Sequence, residues 1–258
     1  MQTICSTTVT ASTVALWWLG QSGFFVKLAN GKILVIDAYL SDSVAKRNPD
    51  FRRKTPIPLQ PEEVICDYYL CSHNHLDHAD PETIARLTNR ESMVFIGPRN
   101  VLAMLGQLGV NDTNCQLLEA GETLVLDGFR VTGSFCIPNE DRVLDSIGFV
   151  LETDDGVTVY HTGDTAYHPF LTYLRKFRID VLLTCINGKY GNLSVGESYA
   201  LAGALEPATV IPTHYDMFAL NGADPVAFGQ LFMDHSTINC LIPTVGELIV
   251  CYPKIREA

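Results

Sequence analysis

Apolar residues in this chain come in short runs, and the spacing between runs changes along it. Ala15 to Leu19, Phe24 to Leu28 and Ile33 to Ile36 have strand length, and Asn30-Gly31 between the last two reads as a hairpin turn. An antiparallel ribbon therefore opens the fold. From Cys66 onward the texture alternates: strand Asp67 to Ser72, a helix capped by Asp80 and running from Pro81 through Leu87, strand Met93 to Ile96, and a helix from Asn100 to Leu108 closed by Gly109. Four strand candidates follow, Gln116 to Leu118, Thr123 to Leu126, Phe129 to Ser134 and Ile147 to Thr153. A turn at Asp154-Asp155-Gly156 then leads into Val157 to His161. Alternation resumes with Pro169 to Lys176, Val181 to Cys185, Gly196 to Leu205, Thr209 to Pro212 and Pro225 to Asp234, and the chain finishes on Glu247 to Tyr252. Ser194 with Glu197 fits a helix-start capping box. Ribbon-and-helix material thus appears twice around a β-rich middle, with no low-complexity linker dividing the halves. The pattern predicts a single α/β domain over residues 1–258, two packed sheets flanked by helices.

Composition narrows the partners. With 18 Lys plus Arg against 29 Asp plus Glu the net charge is 18 − 29 = −11, which disfavours nucleic acid, and no apolar run approaches the ~18 residues of a membrane span. No Lys or Arg precedes Lys27, so the start lacks the charge of a signal peptide and the cytoplasm is the expected location. The eight cysteines include no CxxC pair and read as reduced, mostly buried thiols. Residues 38–62 read as irregular. They hold Pro49, Pro56, Pro58 and Pro61, with Lys46, Arg47, Arg52, Arg53 and Lys54 close together. So long a loop is either a substrate contact or a plain charged surface.

The chemistry concentrates at the ends of predicted strands. Ser72-His73-Asn74-His75-Leu76-Asp77-His78 follows an apolar strand directly and puts four metal-ligand side chains into six residues. In a tight turn His73 and His75 can address one centre while Asp77 and His78 address a neighbouring one. Imidazole and carboxylate suit Zn²⁺, Mn²⁺ or Fe²⁺, and the lack of paired thiols argues against a structural zinc site. His161-Thr162-Gly163-Asp164-Thr165 ends another strand, with Gly163 permitting a sharp turn that aims Asp164 inward. Ile211-Pro212-Thr213-His214-Tyr215-Asp216 ends a third. Taken singly, a turn-capping Asp or a buried His explains either motif; together, three strand ends offer ligands where loops gather into sites.

HNHLDH resembles the HxHxDH signature of the metallo-β-lactamase superfamily, and HTGDT and PTHYD resemble its later Asp and His motifs. The resemblance implies a four-layer αββα sandwich with the metal centre at the sheet edges. Trp17-Trp18-Leu19-Gly20, Phe95-Ile96-Gly97-Pro98 and the two later motifs are most similar to the L-ascorbate-6-phosphate lactonase group. By motif, His73 and His75 would hold one ion, Asp77, His78 and His214 a second, and Asp164 would lie between them. Superfamily members with a full two-metal site usually supply a further His before HTGD, yet no His occurs from 79 to 160. Thr132, Cys136, Glu140, Asp141 and Asp145 lie near its place. One ion or two, Zn or Mn, are therefore both compatible with the sequence.

The expected function is that of a metal-dependent hydrolase opening a small phosphorylated sugar lactone such as L-ascorbate 6-phosphate. The ion would supply hydroxide, and Asp77 or Asp164 would steer the water and take its proton. Arg52, Arg53 and Lys54, with Lys189 in Gly188-Lys189-Tyr190-Gly191, would hold the phosphate, and His168 is a further candidate contact. His235 has no assigned role. The alternatives are hydrolysis of a small or lipid phosphodiester, and a non-catalytic metal- or ligand-binding member of the fold. The expected partner is a small anionic molecule, and a homo-oligomer is compatible with the sequence.

Overall fold

The computed structural model describes residues 1–137, 143–233 and 237–255. Strands β1 (Val14–Gly20), β2 (Gly23–Lys27), β3 (Ile33–Ile36), β4 (Tyr68–Leu70), β5 (Val94–Gly97) and β6 (Cys115–Leu117) lie side by side in that order. A second sheet is built from β7 (Thr123–Leu126), β8 (Phe129–Phe135), β9 (Ile147–Thr153), β10 (Thr158–His161), β11 (Val181–Cys185), β12 (Thr209–Thr213) and β13 (Asn239–Cys240). The last strand, β14 (Leu248–Cys251), returns to the first sheet and pairs antiparallel with β1, Trp17 opposite Leu248. Each sheet begins as an antiparallel ribbon and passes into parallel strands, at β3–β4 in one and β10–β11 in the other.

Parallel neighbours need crossovers, which the helices supply. The helices are α1 (Gln2–Ser6), α2 (Ser43–Arg47), α3 (Pro81–Arg86), α4 (Arg99–Gln107), α5 (Val195–Leu205) and α6 (Pro225–Gln230). Helix α3 starts where Asp80 accepts the Glu82 N–H and Pro81 takes the first turn. Ser194 and Glu197 cap α5 reciprocally.

The inner strands read as unbroken apolar runs because both their faces are covered, whereas the edge strands β7 and β14 leave alternate residues exposed. In β1, Val14, Leu16 and Trp18 face the core shared by both sheets, which also holds Phe129, Phe149 and Tyr160. Their neighbours Ala15, Trp17 and Leu19 face a second core with Ile84 of α3 and Val101 and Leu105 of α4. The layers are helix, sheet, sheet, helix, as the resemblance implied.

Several elements differ from the periodicity. The stretch over residues 38–62 is ordered, with α2 and 3-10 turns at Pro49–Phe51 and Pro61–Glu63. Arg53 holds it: its guanidinium donates to the carbonyls of Tyr39, Ser41, Thr55 and Pro56. Pro169–Phe177 winds as a 3-10 helix. Helix α6 stops at Gln230, and Asp234 and His235 lie outside the described residues. Strand β13 and helices α1 and α2, of two to five residues, are too short to carry a period. All eight cysteines are unpaired, five of them buried.

Phe129 of the second sheet meets Tyr68 of the first edge-on, ring centres 5.1 Å apart, and is fully buried. Phe129→Ala should lower the unfolding free energy by about 3–5 kcal/mol, read as an earlier urea midpoint at unchanged slope.

Candidate metal centre

Strand ends from both sheets deliver the polar residues. Asp37 follows β3, Ser72 to His78 follow β4, Asp164 stands three residues beyond β10, and His214 is the first residue after β12. Backbone strain collects here: Gln21, Asp37 and His214 hold left-handed φ of 52°, 44° and 60°. Gly163 has φ 59°, and a Cβ there would meet the Ile147 carbonyl at 2.8 Å, so the turn that delivers Asp164 requires glycine.

Two groups of ligand-capable atoms result, His73 with His75 and Asp164, and Asp77 with His78 and His214. His73 Nε2 lies 2.8 Å from His75 Nδ1. His78 Nε2 is 3.4 Å from Asp164 Oδ1 and 3.8 Å from Asp77 Oδ2; His214 Nε2 is 3.2 Å from Asp164 Oδ2 and 3.6 Å from Asp77 Oδ2. Asp164 therefore touches both groups. Behind them Asp37 accepts from the Ser72 N–H and hydroxyl and sits 2.8 Å from His78 Nδ1, which aims His78 Nε2 at the cluster.

The charges are coupled. Burial pushes the His78 imidazole down, but Asp164, Asp77 and Asp37 outweigh it and hold it well above its ordinary 6.5. Burial pushes Asp164 up, but His214 and His78 hold its carboxyl well below 3.8. Asp77 and Asp37 are lowered against their own burial, in each case with His78 as the strongest opposing influence. His73 lies well below its ordinary value, first through burial and then through His78, and so is neutral, as a ligand must be.

A divalent cation fits this donor set. His78 Nε2 and Asp164 Oδ1 are buried, face each other at 3.4 Å and make no hydrogen bond among the described residues. Ligands about 2.0–2.2 Å from one ion stand roughly 3–3.6 Å apart, close to the separations observed. In place of the further His, the described residues offer no additional ligand to either group. Thr132 pairs with Thr123, Cys136 points its thiol at the Thr162 carbonyl, Asp145 is exposed, and Glu140 and Asp141 lie outside the described residues. His161 is held by the Ser22 carbonyl and the Gly163 N–H.

Above the cluster lies a cleft of about 410 Å³. Its floor is His75, Asp77, Asp164 and His214, its walls include Phe51, Phe218 and Tyr190, and among the described residues Arg47 is the one Lys or Arg that lines it. The other expected substrate residues do not line it. Arg53 spends its donors on loop carbonyls; Arg52 and Lys54 are exposed elsewhere; Lys189 donates to the Leu220 carbonyl beside a neighbouring hollow. His168 is exposed and caps the Pro169–Phe177 turn by accepting the Phe170 N–H. Asp37, Gln21 and Asn192 were not singled out from the sequence, and Arg47 was marked only as part of the basic loop. Asp37 carried the same mark as the others, a carboxylate directly after an apolar strand.

A family profile described as a beta-lactamase superfamily domain matches residues 15–214. A metal-dependent hydrolase from Anaeromyxobacter sp. (strain K) is 30% identical over 242 residues, covering 88% of this chain and 83% of that protein. The chain belongs to the metallo-β-lactamase superfamily. Within it, this metal-dependent hydrolase is 25% identical to a probable L-ascorbate-6-phosphate lactonase of Escherichia fergusonii, over 84% of this chain and 73% of that one. The metallo hydrolase Igni18 of Ignicoccus hospitalis shares its fold, with a TM-score of 0.75 at 24% identity over 92% and 98% of the two chains. No helix among the described residues is long and apolar enough to cross a membrane.

The coupling sets a pH signature. Stability drawn from charged His78 is fully present below about 6.5 and is lost as pH climbs through its raised folded value, whereas that of the lowered carboxylates is lost only as pH falls below 3.8. Metal-stripped protein should therefore melt at lower temperature as pH rises from 6.5 to 9, roughly 2–4 °C for each kcal/mol lost. With metal added the stabilisation should grow over the same range, because the ligands bind deprotonated. Melting curves with and without chelator test both trends.

Proposed function

We propose that this hydrolase opens a small phosphorylated sugar lactone, using divalent ions held by His73, His75 and Asp164 on one side and by Asp77, His78 and His214 on the other. A cation bound there lowers the pKa of water and polarises an ester carbonyl. The observation that carries the reading is the conjunction of this cluster with a small cleft whose lining holds a single cation, Arg47, together with Asn48, Asn74, Asn192 and Asn221. Such a lining suits a hydroxyl-rich anion of modest size.

The residues then divide the work. Asp77, 16% exposed at the cleft floor, takes the proton from the attacking water, and Asp164 steers that water. Arg47, whose side chain has no ion-pair or hydrogen-bond partner among the described residues, holds the phosphate in place of Arg52, Arg53 and Lys54. Phe51 and Phe218, in edge contact at 5.6 Å, shield the reacting ester from bulk solvent. The likeness to the Escherichia fergusonii protein supports the substrate class. The imidazole-rich donor set suits Zn²⁺, and its carboxylates also accommodate Mn²⁺.

Purified protein should hydrolyse L-ascorbate 6-phosphate once Zn²⁺ or Mn²⁺ is restored after chelation, and should turn over a chromogenic phosphodiester far more slowly. The opposite preference overturns the lactonase reading. Arg47→Ala should raise KM for the phosphorylated lactone roughly tenfold or more while barely changing that for the dephospho analogue. By elemental analysis His78→Ala and His214→Ala should lose metal, and His168→Ala should retain it.

A further inference from the structure

Two carboxamides stand in matching relation to the two carboxylates of the cleft floor. Gln21, in the turn between β1 and β2, donates through Nε2 to Asp77 Oδ2 at 2.8 Å. Asn192, in the loop between β11 and α5, donates through Nδ2 to Asp164 Oδ2 at 2.8 Å. In each case the oxygen contacted is the one that also faces His214 Nε2. In each case the amide's own oxygen, Gln21 Oε1 or Asn192 Oδ1, is buried with no hydrogen-bond partner among the described residues. Turning either amide over would set a carbonyl oxygen against a carboxylate oxygen, so the carboxylates dictate the orientation.

Neither amide is free to drift. The Gln21 carbonyl accepts from the His214 N–H and from Trp18 Nε1, both at 3.0 Å. Its Nε2 lies 3.0 Å from His214 Nε2 and 3.3 Å from Nδ1, against the ring and not in line with one nitrogen. The Asn192 N–H donates to the Lys189 carbonyl. A buried carbonyl without a partner destabilises a fold. Two such atoms, each traded for one N–H on a carboxylate, mark positions kept for that contact.

We propose that Gln21 and Asn192 are positioning residues that hold Asp77 and Asp164 in the orientation needed for ion binding, and that together they set the affinity of the centre for a divalent cation. The inference rests on the cation site proposed above. An N–H on one carboxylate oxygen fixes the plane of the group and leaves its remaining lone pairs for the ion. Because a carboxamide does not titrate, the clamp holds at any pH at which the chain is folded.

The test is Mn²⁺ binding alone, by competition with a chromophoric chelator and by the electron paramagnetic resonance of bound Mn²⁺, on the wild type, Gln21→Met and Asn192→Leu. Both variants should bind Mn²⁺ roughly 10–100-fold more weakly and give an altered Mn²⁺ spectrum. Their metal-free urea midpoints should be unchanged or higher, since each loses a buried carbonyl that had no partner. Affinity unchanged in both variants, or affinity lost only in step with metal-free stability, would overturn the proposal. A wild type that binds no Mn²⁺ would overturn the cation site, and this inference with it. Wild-type binding beside unaltered variants would sink the clamp alone.

Discussion

Three carboxylates, Asp37, Asp77 and Asp164, converge on one imidazole, His78, and among the described residues none of the three pairs with a lysine or arginine. So much negative charge cannot be taken from water without a counter-charge. In the metal-free chain a protonated His78 supplies part of it, which is why its affinity for a proton is raised so far above normal. The divalent cation proposed for this site would supply the rest and free His78 to act as a ligand. The arrangement of these carboxylates is that of a site made to take up positive charge.

Holding such a cluster requires a frame that does not relax. Both sheets have apolar cover on both faces, so their strand ends are anchored by packing as well as by ladder hydrogen bonds. The left-handed conformations of Gln21, Asp37 and His214 persist only because that frame over-determines them. A rim from other segments then gives the cluster its cleft. Phe51 comes from the Arg53-clamped loop, Tyr190 from the turn before α5, and Phe218 from the segment after β12, and the Phe51 ring lies within 6 Å of each of the other two.

Much of this was legible along the chain. Fourteen described strands include only one, the two-residue β13, that the apolar rhythm did not announce, and the caps of α3 and α5 stand where Asp80, Pro81, Ser194 and Glu197 put them. The rhythm failed where its reach ended. A five-residue helix such as α2 has too few turns to show a period, and Pro169–Phe177 has apolar residues at spacings that a 3-10 helix and an α-helix both satisfy. The basic cluster at 46–54 was visible as charge, but charge says nothing of direction. Arg53 turns inward onto carbonyls, Lys46 pairs with Glu82, and Arg47 alone lines the cleft.

What the sequence determined by itself is what depends on neighbours along the chain: strand and helix periods, caps, turns, and the clustering of His73, His75, Asp77 and His78 within one loop. It also marked Asp164 and His214 as strand-end residues. Tertiary structure alone decided that Asp164 stands between the two groups, that Asp37 supports His78 from behind, and that Gln21 and Asn192 meet the carboxylates. Those contacts join residues from 28 positions apart, Asn192 to Asp164, up to 86, His78 to Asp164. Closing such distances depends on how two sheets pack, and no local rhythm encodes that.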